Sequence, residues 1–495
     1  MPERYHIHVA AMPGRFHRVG KFGSVDWRED CSRCTNCVKP RCQYDVYKKE
    51  GIHNRDAAAP TQPLYECKAC FSCVQGCTKG LLALAINPEY LAMGDEYWTP
   101  DLIAATWNQA DAGRIPVSGA GYRGRFCGPG FDSIWTDMSE IVRPTRDGIH
   151  GREYISTMVE IGEKPLRLDF SPAGAMLTSE AALVEVPMPA ILDLPPWPMA
   201  GSDLDRARLA AAKALKVLAV AAPESVAAAP EDQMPYAVPV VEADSAARWA
   251  DVLKQVRMVE VEGGPDVLAA AEKARAVKPE LLVGVRLDLA PGVADRVIDL
   301  AARGLKVFHL GADLHGRQKG AERPRHIKDA LREVHGRLVS AGIRDEVTLI
   351  IAGGIGLPEH MAKAIICGAD LVAVDVPLLV ALGCRVCRGA HAEDRVDDST
   401  ATPQRVTMPP GEEEHAQAND GAGMPPGHCP AEIENADVPY AAQRMVNLMG
   451  AWHSQLIEVL GAMGIREVRR LRGEVGRAMF LEDIEREAFG DLVRK

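Results

Sequence analysis

The chain has 495 residues, enough for two or three domains with a sizeable buried core. A formal charge of −11 argues against nucleic-acid binding, which asks for a basic face, and no apolar run is long enough to span a bilayer. The opening Met1-Pro2-Glu3-Arg4 lacks the basic-then-apolar pattern of a signal peptide, so a cytoplasmic location is the expectation.

In chain order, residues 1–25 form an undistinguished extension. Residues 26–90 then carry eight of the thirteen cysteines, in two similar blocks that start at Cys31 and Cys67. So many clustered thiols in a reducing compartment point to metal ligation rather than disulfides. The first block is Cys31-x2-Cys34-x2-Cys37-x4-Cys42 and the second is Cys67-x2-Cys70-x2-Cys73-x3-Cys77. Three thiolates spaced this way wrap one cubane, and the fourth usually reaches across to the other cluster. The pattern predicts a ferredoxin-like (α+β) domain with two [4Fe–4S] clusters. Cys31, Cys34, Cys37 and Cys77 would hold one, and Cys67, Cys70, Cys73 and Cys42 the other. A pair of zinc sites is the alternative, but zinc has no use for a third evenly spaced cysteine. Gln43 and Thr78 stand where proline commonly follows the fourth cysteine. Nearby Arg33, Lys39, Arg41, Lys48, Lys49, Lys68 and Lys79 make a basic patch. It either docks an acidic electron carrier or is a solvated surface that balances cluster charge.

Residues 91–185 are loop-rich and read as a linker or cap. From Met188 short β-branched runs alternate with Ala-rich helical stretches. Strands are predicted at Met188–Leu194, Lys216–Ala221, Tyr236–Glu242, Val256–Val261, Leu281–Leu287, Lys306–Leu310, Val347–Ala352 and Leu371–Val376. Helices are predicted at Asp203–Leu215, Asp244–Lys254, Pro265–Ala276, Gly292–Arg303, His326–Ala341 and Pro358–Cys367. The Ala/Pro-rich Ala222–Met234 is a poor helix, so that unit is expected to be irregular. This order predicts an α/β fold, a (β/α)8 TIM-type barrel over residues 186–390, because parallel strands need crossovers. A doubly wound open sheet is the competing architecture. Residues 391–427 are acidic, rich in Pro and Gly and nearly devoid of large apolar residues, and are expected to be a disordered insertion. Residues 428–495 return to helical periodicity, at Tyr440–Met463 and Arg470–Phe489, and are expected to close the barrel domain.

Several runs carry a family resemblance. They are Leu81–Pro88, Glu96-Tyr97-Trp98-Thr99-Pro100, Phe131-Asp132-Ser133-Ile134 and Ala352-Gly353-Gly354-Ile355. Gly368-Ala369-Asp370, Leu379–Cys384 and His428-Cys429-Pro430 continue the same order. The chain resembles the archaeal-type large subunit of glutamate synthase, well over residues 30–185 and 345–495 and weakly between about 195 and 320. The resemblance implies an FMN-binding barrel behind a ferredoxin module, and a third iron–sulfur cluster, here with Cys384, Cys387 and Cys429 as its remaining thiols. It implies electrons passing from a ferredoxin or other redox protein through the clusters to FMN. The product is L-glutamate, made from 2-oxoglutarate and glutamine-derived ammonia. It also implies a multi-subunit complex with separate glutaminase-type and small glutamate synthase-type subunits.

Within that resemblance, Gly353, Gly354 and Gly356 follow the seventh strand and precede a helix, where backbone amides suit a flavin phosphate. Asp375 ends the eighth strand where the family offers glycine, and a carboxylate there repels a phosphate. Arg286 replaces a lysine that faces the flavin; it keeps the charge but not the shape. Ala390 stands in place of a third-cluster cysteine, and the loop after the fourth strand is reduced to Glu262-Gly263-Gly264. His309 and Asp313, with His315 and Arg317 beyond them, lie at C-terminal strand ends, where barrel active sites sit, so Arg286, His309 and Asp313 are the candidate catalytic residues. Cys127 and Cys367 read as packed thiols. Two readings follow: a glutamate-forming flavoenzyme, or a non-catalytic electron-transfer subunit with a degenerate flavin site.

Overall fold

In a computed structural model of the chain, the described residues are 5–15, 19, 21–27, 34, 36, 40–44, 70–86, 88–115, 130–136, 155–163, 169–177, 182–197, 203–242, 245–386, 433 and 437–493. The expected insertion at 391–427 and five of the eleven candidate ligand cysteines, Cys31, Cys37, Cys67, Cys387 and Cys429, lie outside them, as does Cys127. The chain divides into two compact units. One comprises Met1–Met12, Asn108–Leu382 and Glu432–Lys495, and the other Pro13–Trp107 and Gly383–Ala431.

The first unit is built on eight parallel strands, numbered here β1 (Ala190–Leu192), β2 (Ala219–Ala221), β3 (Ala237–Val241), β4 (Met258–Glu262), β5 (Leu282–Asp288), β6 (Val307–Gly311), β7 (Thr348–Ala352) and β8 (Leu371–Val374). They hydrogen-bond in sequence order, and β8 pairs back onto β1 to close the barrel. Closure excludes the open doubly wound sheet. Seven of the eight strands fall within two residues of their expected limits, and β2 begins three residues later than expected, at Ala219. The strands are short, mostly apolar and largely buried on both faces, as parallel strands sandwiched between an interior and a ring of helices are.

The helices follow from amphipathic spacing. Asp203–Leu215 buries Leu204, Ala207, Leu209, Ala211, Ala212 and Leu215 along one stripe, with Asp203 and Asp205 in its first turn and Lys213 in its last, matching the helix dipole. Between β2 and β3 the expected irregularity is found: a five-residue helix, Pro223–Ala227, and a 3-10 stretch, Glu231–Tyr236. The helix expected over Asp244–Lys254 shrinks to Ala250–Leu253. Ser245 Oγ accepts from the Glu242 amide and donates to the Glu242 carbonyl, so the side chain competes with helical bonding at that end. The expected strand over Leu371–Val376 stops at Val374, because Asp375 turns the chain and caps a short helix, Val376–Ala381.

At the N-terminal end of the barrel, the antiparallel pair Val159–Gly162 and Leu183–Val186 is tied to β7. The Gly162 amide donates to Thr348 Oγ1 at 3.1 Å, and that hydroxyl donates to the Gly162 carbonyl at 2.9 Å. The long helix Val438–Ala462 packs on Asp203–Leu215 and Pro358–Ile366, which agrees with the expected Tyr440–Met463. The second C-terminal helix differs from expectation. Residues 470–477 form 3-10 turns, Ala478–Phe480 pairs antiparallel with Ile134–Thr136, and only Leu481–Val493 is helical. Gly473 and Gly476 interrupt the helical run, and the pairing with Ile134–Thr136 takes up the released backbone.

In the second unit, Phe22–Trp27 pairs antiparallel with Leu82–Ile86, so the two ends of the cysteine-bearing segment are held side by side. A four-residue helix, Ser72–Gln75, carries Cys73 between Cys70 and Cys77.

Candidate functional site

The interior of the barrel holds charge. Arg286 of β5 donates from Nη1 and Nη2 to Asp193 Oδ1 and Oδ2 at 2.9 and 2.8 Å, a bidentate pair, and from Nη1 to Glu260 Oε2 at 3.1 Å. Asp193 follows β1, which stands opposite β5 in the closed ring, so this contact crosses the interior. His309 of β6 approaches Glu260 Oε1 of β4 through Nδ1 at 2.8 Å, with Nε2 3.4 Å from Asp193 Oδ2. Gly284 of β5, in register with Glu260, leaves room for Met258; a Cβ there would lie 2.8 Å from Met258 Cε.

Glu260 and His309 are fully buried, Asp193 nearly so, and the Arg286 side chain keeps 22% of its surface. Burial alone raises a carboxyl, but Arg286 and His309 overcome it and hold Asp193 well below the usual carboxylate range. Burial likewise acts to raise Glu260, and its ion pair with His309 more than reverses this. Burial lowers an imidazole, yet the Glu260 carboxylate drives His309 up to about 9. Two carboxylates therefore face one guanidinium and one imidazolium, and the quartet carries no surplus charge.

Of the expected catalytic residues, Arg286 and His309 are thus brought together. Asp313 serves its own turn: Oδ1 accepts the amides of His315 at 2.9 Å and Arg317 at 2.6 Å. Asp193 and Glu260 were missed from the sequence. Glu260 had a legible signal as the only acidic residue inside the run Val256–Val261, which also holds Arg257. Asp193 had the same signal, as the single charge in the expected strand Met188–Leu194, but nothing local identified its partner across the ring.

The glycines after β7 are buried. Gly353 takes φ +94°, and a Cβ there would meet the Asp313 carbonyl oxygen at 2.6 Å, so the loops after β6 and β7 touch only because it is glycine. The Gly356 amide donates to His360 Nδ1 at 3.1 Å, and His360 Nε2 is 2.9 Å from Asp132 Oδ1, with Phe131 packed against the ring. After β8, Asp375 Oδ1 accepts its neighbour's amide, Val376 N, at 2.6 Å. Pro377 has no N–H, and Leu378 N donates to the Asp375 carbonyl at 3.0 Å. Burial foremost, then the charge of Asp193, pushes Asp375 up to about 7. The amides of Gly356, Val376 and Leu378 are already bonded within the chain, and with the buried Asp375 carboxyl beside them these residues do not fit a flavin phosphate.

In the cysteine unit, the Leu81 amide donates to Cys77 Sγ at 3.3 Å, and backbone hydrogen bonds, Leu81 first, shift that thiol down. Cys70 is also shifted down, chiefly by the Ser72 backbone. Both shifts favour thiolate, the ligating form. Among the described residues no three His, Cys, Asp or Glu side chains gather as a metal site would need. Cys34 and Cys70 are exposed, Cys77 partly so, and Cys42 and Cys73 buried. Cys384 is buried, its Sγ accepting from Val386 N at 3.4 Å. Burial pushes the Cys367 thiol up to about 12, as an inert packed thiol requires. No helix among the described residues is long and apolar enough to cross a membrane.

Residues 320–396 match the model of the conserved region in glutamate synthase. The chain is 22% identical over 510 residues to the archaeal-type glutamate synthase [NADPH] of Dehalococcoides mccartyi, spanning 91% of this chain and 93% of that one. To the archaeal glutamate synthase [NADPH] of Archaeoglobus fulgidus it is 31% identical over 208 residues, 39% of this chain and 36% of the other. Among solved structures, the flavin-binding domain of baker's yeast flavocytochrome b2 aligns with TM-score 0.40 and 13% identity over 80% of this chain and 83% of that one, a likeness too loose to carry an argument. The chain is thus similar to archaeal-type glutamate synthases along nearly its whole length, at low identity, and the matched conserved region covers β7 and β8.

Proposed function

We propose that this chain is the electron-carrying large subunit of a glutamate-synthase-type oxidoreductase. The observation that carries the reading is the relationship over 91% of the chain, joined to two four-cysteine blocks. Cys31, Cys34, Cys37 and Cys77 would hold one [4Fe–4S] cluster, and Cys67, Cys70, Cys73 and Cys42 the other. The antiparallel pair Phe22–Trp27 and Leu82–Ile86 supports this by holding the ends of the cysteine segment together, as do the amide bonds that favour thiolate at Cys70 and Cys77. Cys384, Cys387 and Cys429 are the ligands available to a third cluster. The electron donor is a ferredoxin-type protein, and the partners are glutaminase-type and small glutamate synthase-type subunits of a cytoplasmic complex.

The flavoenzyme reading requires FMN on the barrel, to form L-glutamate from 2-oxoglutarate and glutamine-derived ammonia. The committed amides beside Asp375 and the neutralised Arg286 do not fit that group. Those two features favour the electron-transfer reading, in which the barrel is a scaffold and the clusters hand electrons to a partner subunit. Anaerobic purification with iron and flavin quantitation tests it. About eight irons per chain are expected from two cubanes. Iron near zero would sink the electron-carrying role. Glutamine- and 2-oxoglutarate-dependent oxidation of a reduced viologen, with the small subunits present, would restore the flavoenzyme.

A further inference from the structure

We propose that the barrel supplies its own anion at the mouth of β8. The Asp375 carboxylate stands where a phosphate would dock, so the chain discriminates against phosphorylated flavin. The inference deepens the electron-transfer reading and rests on it only for the choice of ligand.

In TIM barrels a phosphate is commonly held by the loops after the seventh and eighth strands and by the start of a short following helix. Here that helix is Val376–Ala381, and its opening turn offers an anion nothing. Val376 N is bonded to Asp375 Oδ1, Pro377 has no N–H, and Leu378 N is bonded to the Asp375 carbonyl. Opposite, the Gly356 amide is bonded to His360, which is held in turn by Asp132. Asp375 itself is 6% exposed, so its carboxylate fills space inside the site rather than fringing it. The cation that acts on it, Arg286, is engaged by Asp193 and Glu260 and has no charge to spare for a dianion. A phosphate would have to displace a buried carboxylate from its amide and then sit beside it, and both steps oppose binding.

Asp375 has φ −120°, a conformation open to glycine as well. Asp375→Gly removes the competing charge and releases the Val376 amide in one change. The test is a fluorescence titration at about pH 8.5, where Asp375 is ionised, of the full chain, purified anaerobically with its iron, using FMN and riboflavin as probes. These two differ only in the phosphate. The wild-type protein should leave purification without stoichiometric flavin and bind FMN no more tightly than riboflavin. Asp375→Gly should prefer FMN over riboflavin by about 100-fold or more, the scale of a recovered charge-assisted anion site. If that variant fails to fold, Asp375→Asn should show the same preference in smaller measure, since it removes the charge but keeps an acceptor on Val376 N. Stoichiometric FMN in the wild type, or a wild-type preference for FMN, overturns the proposal. So does a folded variant with no gain in FMN preference. The iron content of the same samples reports separately on the electron-carrying role.

Discussion

His309 and Glu260 meet inside the barrel, Nδ1 to Oε1 at 2.8 Å, although β5 stands between their strands. Each is fully buried, and each accounts for much of the other's charge state. Arg286 and Asp193 complete the group from opposite sides of the ring. A charge-balanced cluster of this kind is costly to assemble and costlier to break, because removing one member strands another in a low-dielectric interior.

Glu260→Ala should therefore destabilise the first unit by about 3–5 kcal/mol, the range for an orphaned buried charge. Glu260→Gln should cost less, since its amide oxygen still accepts from the imidazole. Urea unfolding of both variants measures this. A loss within the error of the extrapolation for Glu260→Ala would show that the quartet contributes nothing to stability.

The same cluster sets an alkaline limit. His309 is raised from 6.5 to about 9, so its contribution is complete below pH 6.5 and is lost as pH rises through about 9. Asp375 is raised from 3.8 to about 7, so its contribution is present below pH 3.8 and is lost as pH rises through about 7. Both act in one direction: the Asp375 contribution to the melting temperature should fall between about pH 4 and 7 and the His309 contribution between about pH 6.5 and 9, two overlapping steps. Asp375→Asn should abolish the lower step and leave the upper one. A melting temperature that stays level across this range would contradict the ion pairing of His309.

At the opposite end of the barrel, Asp370 accepts from Leu349 N at 2.8 Å, Arg344 Nη2 at 2.9 Å and Arg472 Nη1 at 2.6 Å. Arg344 is itself almost wholly buried and also donates to the Val347 and Gly368 carbonyls. Asp370→Ala leaves that guanidinium without its counter-ion and should cost about 3–5 kcal/mol. Arg472→Ala removes only the more exposed partner and should cost clearly less. Thermal scans of the two variants would rank them; equal losses would refute this division of roles.

For the cysteine unit, Cys70→Ser should remove one of two cluster signals from the reduced-state electron paramagnetic spectrum and leave the other. Hydroxyl oxygen is a poor substitute for thiolate on iron. An unchanged spectrum would refute the ligand assignment at Cys70.

The order and rough limits of the eight barrel strands were legible locally, because buried parallel strands are short apolar runs set between helical stretches. The position of Gly353 was legible too, since a glycine pair after a strand marks a close backbone approach. The cysteine spacing by itself carries the expectation of two clusters. What local sequence could not supply was every relationship that crosses the barrel. Asp193 and Arg286 are 93 residues apart in the chain, and only closure of the ring brings the two together. The fate of Asp375 also needed the folded backbone: a carboxylate after a strand can greet a cation or cap a helix, and here it bonds to Val376 N. Periodicity and spacing are one-dimensional signals, and they determined the architecture. Which charges meet, and which amides remain for a ligand, depends on distances in three dimensions, and the tertiary structure alone decided that.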